Sequence, residues 1–213
     1  RTPLLSFHGL TKMLYEDYNN FTEEERLEFV SKMHHSAGQL FGLLENLLEW
    51  SRVQTNKIPF NPSEFDISQI ISENILLLKN YAESKNITIT NSTKENTPVV
   101  ADKYMIQTVI RNLLSNAIKF TKNNGEIKIT TSKNNNHITV AIEDNGIGIE
   151  AEDIPKLFKI DEYFSNVGTN NEKGSGIGLI LCKEFIEKNN GKIWAESKKN
   201  KGSIFYFTLN TVK

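Results

Sequence analysis

Residues 137–149 read His-Ile-Thr-Val-Ala-Ile-Glu-Asp-Asn-Gly-Ile-Gly-Ile. Ile138, Val140 and Ile142 alternate with Thr139, Ala141 and Glu143, the period-two pattern of a strand with one buried face. The strand runs straight into Asp144-Asn145-Gly146-Ile147-Gly148, which puts the Asp144 carboxylate at the strand mouth. A carboxylate there can accept a hydrogen bond from an exocyclic amine. Gly146 and Gly148 let the backbone turn sharply and approach a flat ring without a Cβ in the way. A plain Asp-Asn-Gly turn fits the same residues.

Working outward, Glu126–Thr131 alternates as a second strand, joined to the first by the polar turn Lys133-Asn134-Asn135-Asn136. Before it, a helix is predicted from Asp102 to Phe120, with Ile106, Val109, Leu113, Ala117 and Phe120 as its core stripe. Asn112, Asn116 and Lys119 form a second line on this helix. Steps of four and three residues place them within ~60° of one another and ~100° from the apolar stripe, at its flank. Two amides and a lysine suit a hydrated cation and a polyphosphate, because Mg²⁺ prefers oxygen ligands and keeps several waters. A solvated helix face is the plainer reading of the trio.

On the other side, Lys173-Gly174-Ser175-Gly176-Ile177-Gly178-Leu179 precedes a helix predicted over 178–188 and closed by Gly191. Backbone N–H groups of such a loop at a helix start form an anion site. A flexible linker would not pass directly into a periodic helix. The spacing matches neither the Gly-x-x-x-x-Gly-Lys-Ser/Thr phosphate loop nor Gly-x-Gly-x-x-Gly followed by an acid. Between the glycine clusters, a polar loop of about thirty residues carries Leu157-Phe158, Phe164, Gly168 and Asn170-Asn171 and reads as a lid. A helix is also predicted over 66–84, with Asp66 and Gln69 in capping-box relation and Ile67, Ile71, Ile75, Leu78 and Ala82 inward. Asn86–Thr90 alternates like a strand, and the chain closes with strands at 192–196 and 203–209. Helices beside a mostly antiparallel sheet predict an α+β sandwich.

Residues 1–57 follow another period. Val30, Met33, Ala37, Leu40, Leu44 and Leu47 are spaced three and four apart, a heptad seam. Thr22 as N-cap and Glu25 as the closing residue of a capping box start this helix, with Glu23 and Glu24 at its positive end. Phe7, Leu10 and Leu14 mark a shorter helix before the turn Tyr18-Asn19-Asn20-Phe21. A helical hairpin with Leu43, Leu48 and Trp50 beside the seam predicts pairing with a second copy into a four-helix bundle. Packing on the rest of its own chain is the alternative. Thr55–Pro62 carries two of the five prolines and ends the long helix, so the domains are placed at 1–57 and 58–213.

Composition limits the function classes. The chain has 213 residues, 25 Lys and Arg against 26 Asp and Glu, one cysteine and four histidines. Balanced charge offers no basic stripe for nucleic acid. Cys182 alone makes no internal disulfide, and His34-His35 points to two sides of a helix without a second ligand cluster. No apolar run approaches the ~18–20 residues needed to span a bilayer. The opening Arg1-Thr2-Pro3, without a start methionine, reads as a piece of something longer.

Taken in order, Asn112-x-x-x-Asn116-x-x-Lys119-Phe120, Asp144-x-Gly146-x-Gly148, Phe158 to Phe164 and Gly174-x-Gly176-x-Gly178 resemble the N, G1, F and G2 boxes of bacterial sensor histidine kinases. The resemblance covers residues 60–213, as the ATP-binding domain of the GHKL superfamily. The preceding hairpin is similar to the kinases' dimerisation and phosphoacceptor domain. It implies ATP and Mg²⁺ as cofactors, with Asn116 and Asn112 on the metal and Lys119 on phosphate. It further implies Asp144 on the adenine amino group, and Gly176 and Gly178, within the Gly174-Ser175 loop, on the phosphates. Phe120, Asn145, Ile147 and Leu179 would line the pocket, and Thr208 would lie near adenine. The implied partners are a second copy and a response-regulator receiver domain. A cytoplasmic core with no membrane contact of its own is expected, its parent anchored through other segments.

The family's acceptor motif, His-Asp/Glu-x-Arg-x-Pro, is matched here only from its arginine, Arg1-Thr2-Pro3. The acceptor histidine would lie three residues before Arg1, so no catalytic residue is assigned and no autophosphorylation is expected of these residues alone. The hydrolases of the superfamily carry a general-base glutamate four residues before the metal asparagine, where this chain has Asn112, which takes no proton near neutral pH. A nucleotide-binding regulatory or dimerisation scaffold without kinase activity is the remaining rival.

Overall fold

The structure, a computed structural model, describes residues 2–54, 59–94, 96–134, 136–159, 168–170, 172 and 176–212. The chain forms two compact units, residues 1–52 and 53–213.

In the first unit, α1 (Thr2–Glu16) and α2 (Glu23–Gln54) flank a short 3₁₀ turn at Tyr18–Asn20. The predicted capping box is formed: the Glu25 N–H donates to Thr22 Oγ1 at 3.2 Å, and the Thr22 N–H donates to Glu25 Oε2 at 2.8 Å. Arg26 lies 4.2 Å over the Tyr18 ring and donates to the Tyr18 carbonyl, fixing the corner. Of the seam, Met33, Ala37 and Leu40 are half-buried, while Val30 is 51% and Leu44 54% exposed. The apolar stripe therefore keeps uncovered area within this unit. The side chains of Leu43, Leu47 and Trp50 lie outside the described residues.

In the second unit, β1 (Pro62–Asp66), β2 (Thr88–Ser92), β3 (Pro98–Asp102), β4 (Glu126–Asn134), β5 (His137–Asp144), β6 (Ile193–Lys198) and β7 (Gly202–Thr211) form one sheet. Its order is β1-β3-β7-β5-β4-β2, with β6 also paired to β7. Every pairing is antiparallel except β2 with β4. The helices α3 (Ile67–Ser84), α4 (Lys103–Phe120) and α5 (Gly178–Lys188) share one core with the inward residues of the sheet. Ile127, Ile129, Ile138, Val140, Ile142, Phe205, Phe207 and Leu209 face Ile67, Ile71, Ile106, Val109, Leu113, Leu181 and Phe185 there. Each such side chain contributes roughly 1.5–3 kcal/mol by leaving water. The α+β sandwich is the observed architecture.

Several local expectations change. β1 and β3 carry no strand signal in the sequence: the proline-bearing stretch at the domain boundary runs to Pro62, and residues 62–66 pair with β3 from Pro62↔Asp102 to Asp66↔Pro98. β2 lies two residues later than its alternation implies and is the parallel strand. Asp66 caps α3 without Gln69, accepting instead from the Ser68 N–H at 2.9 Å and the Thr97 N–H at 3.1 Å. The cap thus ties α3 to the loop before β3. At the end of α5 the left-handed residue is Asn190, with φ 57, while the Gly191 N–H donates to the Ile186 carbonyl at 2.9 Å. Leu157 is buried and Phe158 packs on the core rather than standing in a free polar loop. Most of the segment read as a lid, including Phe164, lies outside the described residues.

Candidate functional site

The flank of α4 is built as its periodicity implies. Ile106, Val109, Leu113 and Ala117 are buried, and Asn112, Asn116 and Lys119 are half-buried beside them. Phe120, expected at the end of the core stripe, is also half-buried, with Lys119 Nζ 4.6 Å from its ring centre. Asn112 Nδ2 donates to the Thr108 carbonyl at 3.0 Å. Its Oδ1 faces Gly178, where an added Cβ would stand 3.0 Å from that oxygen. The first residue of α5 and the asparagine line therefore meet. Ile177, just before that helix, offers no side-chain cap, and a helix start of this kind is suited to an anion. Among the described residues no hydrogen bond engages the Asn116 amide.

The strand mouth is built by burial. Asp144 closes β5, is 5% exposed, and accepts the Gly146 N–H on Oδ1 at 2.9 Å. The backbone N–H of Ser203, opposite it in β7, also donates to this carboxyl. Burial outweighs both bonds and pushes the Asp144 carboxyl up to about 6. Ser203, absent from the sequence-based site, was detectable only through the β5–β7 register.

Both glycines after Asp144 lie against the chain's own backbone. A Cβ on Gly146 would strike the Phe120 carbonyl, which accepts the Ile147 N–H at 3.1 Å. Gly148 sits at φ 65, and a Cβ there would meet the Lys198 carbonyl. The Asp144 turn is thus docked onto the C-terminal end of α4.

Other predicted residues fall variously. Ile147, Gly176 and Leu179 are half-buried, Leu179 against the core. Asn145 is exposed and its Oδ1 accepts the Glu126 N–H at 2.8 Å, so its side chain splices the turn to β4. Thr208 does not join the cluster. It alternates with the inward Phe207 and Leu209, stands opposite Thr139, and accepts the Lys192 N–H on Oγ1 at 2.8 Å. Period-two geometry turns it to the other face of the sheet, five residues along β7 from Ser203. Gly174 and Ser175 lie outside the described residues.

Lys119 is packed beside Gly168, whose hypothetical Cβ would touch its side chain. Burial lowers the Lys119 ammonium from its ordinary value, and Glu172 works against that. Burial alone would raise the Glu172 carboxyl; N–H donors from its own backbone and Asn170, with Lys85, hold it below the usual range.

A buried carboxylate at a strand mouth is thus docked on a helix whose amide–lysine flank meets a glycine-started helix, within an α+β sandwich, and the comparisons give the family of this fold. Residues 101–213 match the profile described as "Histidine kinase-, DNA gyrase B-, and HSP90-like ATPase", and the chain belongs to that family. Its relatives include sensor histidine kinases. GacS of Pseudomonas protegens is 28% identical over 220 residues, covering 100% of this chain and 24% of its own length. The catalytic domain of the histidine kinase ThkA is 31% identical with a TM-score of 0.63, over 72% of this chain and 99% of that one. ThkA in complex with response regulator protein TrrA shares the fold, at 24% identity and a TM-score of 0.77 over 100% of this chain and 58% of that one. The chain spans about a quarter of the length of the sequence relatives it matches. No described helix is long and apolar enough to cross a membrane.

Proposed function

We propose that the chain is the cytoplasmic kinase core of a two-component sensor histidine kinase. Residues 58–213 bind Mg-ATP and present its γ-phosphoryl group to a histidine imidazole, from which it passes to an aspartate of a response-regulator receiver domain. Residues 1–57 supply the dimerisation and phosphoacceptor helical hairpin. The observation that carries this reading is the buried Asp144 carboxylate docked on the end of α4, whose flank holds Asn112, Asn116 and Lys119.

Each residue has a physical task. Asp144 accepts from the adenine amino group, a contact that a 6-oxo purine cannot make. Lys119 and the N-terminal N–H groups of α5 meet phosphate charge. The Asn112 and Asn116 amide oxygens suit Mg²⁺: no cluster of three His, Cys, Asp or Glu exists among the described residues, and this cation accepts few protein oxygens beside phosphates and water. When bound, Mg²⁺ neutralises charge on the phosphate oxygens. The chain's own part is to position and to exclude water. An imidazole nitrogen is already nucleophilic near neutral pH. None of His8, His34, His35 and His137 stands in acceptor register with Arg1, so these 213 residues alone do not autophosphorylate. The uncovered stripe through Val30 and Leu44 supports pairing of two copies. Asn112, bonded to its own helix at Thr108, offers no base for water, which separates this site from the hydrolytic members.

Titration of the folded chain with ATP and Mg²⁺ tests the reading. Saturable, Mg²⁺-dependent binding is expected, and its absence overturns the proposal. Asn116→Asp sets a further carboxylate beside the phosphates and weakens ATP about tenfold, one lost polar contact's worth; unchanged affinity and Mg²⁺ dependence would remove Asn116 from the site. Thr208→Val, on the far face, leaves affinity within about twofold, since no contact to the site is lost. A larger loss would return Thr208 to it.

A further inference from the structure

Lys85 is a lysine with almost no access to water. It caps the C-terminus of α3, its side chain is 4% exposed, and its three Nζ hydrogens are shared among four acceptors from two other parts of the chain. Two are the Ile118 and Lys119 carbonyls at 2.9 and 3.1 Å, at the last turn of α4. The others are Thr169 Oγ1 at 2.6 Å and Glu172 Oε1 at 3.2 Å. Terminal helix carbonyls lack intrahelical partners and carry the negative end of the dipole, so a cation there is favourable. Water could satisfy them at less cost than a desolvated ammonium. What a lysine adds is a charged joint between α3, α4 and the pair Thr169 and Glu172.

That joint closes on Lys119. The Thr169 N–H also donates to the Lys119 carbonyl at 3.1 Å, and Thr169 Oγ1 donates to the Thr121 carbonyl at 2.8 Å. Glu172 braces the same segment, its carbonyl accepting the Gly168 N–H at 2.8 Å and its Oε2 the Asn170 N–H at 2.7 Å. Gly168, held in this way, packs against the Lys119 side chain. The peptide of Lys119 is therefore gripped on both sides while its ammonium stays at the flank of α4.

We propose that Lys85 is a positioning residue for phosphate binding: without touching nucleotide, it holds the Lys119 peptide, Gly168, Thr169 and Glu172 in the geometry that presents Lys119 to the phosphates. This rests on the reading of Lys119 as a phosphate ligand given above. A positioning role of this kind acts on the phosphate end alone, whereas general loosening of the fold would weaken every adenine ligand alike.

The test measures affinities of adenosine, ADP and ATP with Mg²⁺ for the folded wild type, Lys85→Met and Thr169→Val. For Lys85→Met the ATP affinity is expected to fall about tenfold while adenosine stays within about twofold, the loss growing with phosphate number as charge-assisted contacts are misplaced. Thr169→Val, which keeps the shape and removes the hydroxyl, loses about threefold in the same order. Should Lys85→Met fail to fold, Thr169→Val decides. Unaltered ATP-to-adenosine ratios in the folded variants, or equal losses for all three ligands, overturn the role of Lys85 while leaving ATP binding by the wild type intact. A folded wild type without saturable ATP binding overturns the kinase reading and this role with it.

Discussion

Asp144→Asn is expected to weaken ATP by about a hundredfold or more and to flatten the contrast between ATP and GTP, because the buried acceptor for the exocyclic amine gains a donor in its place. The same change has a distinct signature in stability. Burial raises the folded-state carboxyl to about 6 from 3.8, so the folded protein holds this proton more tightly than the unfolded chain does. Its contribution is fully present below the unfolded value and is lost as pH rises through about 6. Over pH 4 to 8 wild type therefore loses about 2 kcal/mol relative to Asp144→Asn, which has no proton to release. Denaturant unfolding of both proteins across that range, with ATP and GTP titrations at pH 7.5, checks the two halves separately. Parallel pH profiles would show that the carboxyl is not held in the state assigned to it. A variant that still prefers ATP would move purine recognition elsewhere.

Such a group is legible in the sequence only in part. Ile138, Val140 and Ile142 place Asp144 at the end of an inward-facing strand, and Asn112, Asn116 and Lys119 share a helix flank by spacing alone, since these are local periodicities. What sets the carboxyl's properties is non-local: Ser203 reaches it from about sixty residues away, through the β5–β7 register. Strands β1 and β3 are hidden for the same reason. Pro62-Ser63-Glu64-Phe65-Asp66 has no alternation, and it becomes a strand only because Pro98–Asp102 lies beside it. Thr208 shows the converse case. Its place on the last strand agrees with the family pattern, but one position of period two decides the face, and Phe207 and Leu209 occupy the inner one. Lys85 has no local signal at all: a lysine at a helix end reads as solvated until α4 and Thr169 close over it.

Gly202→Ala is expected to destabilise the second unit by about 3 kcal/mol or more, from a left-handed backbone cost joined to a steric one. Gly202 opens β7 at φ 93, where an L side chain is strained whatever the space around it. Here there is no space either: the added Cβ would fall on the Asp144 carbonyl and lie 2.8 Å from the Asn145 Cα. These are backbone atoms, so no flexible side chain can swing aside. Relief requires the start of β7 to part from the end of β5, which pulls the Ser203 N–H from the Asp144 carboxyl and loosens the Gly202 carbonyl from Ser197 Oγ, now at 2.8 Å. Ser197 in turn accepts the Ile149 N–H at 2.8 Å, so the Asp144–Ile149 turn loses its brace on β6 as well. Stability and purine affinity should therefore fall together, with the melting temperature dropping by about 10 °C for a unit of this size. A variant within about 0.5 kcal/mol of wild type, the usual range for changes that touch nothing, would mean that this turn can rearrange without cost and that the strand mouth is less rigid than its packing implies.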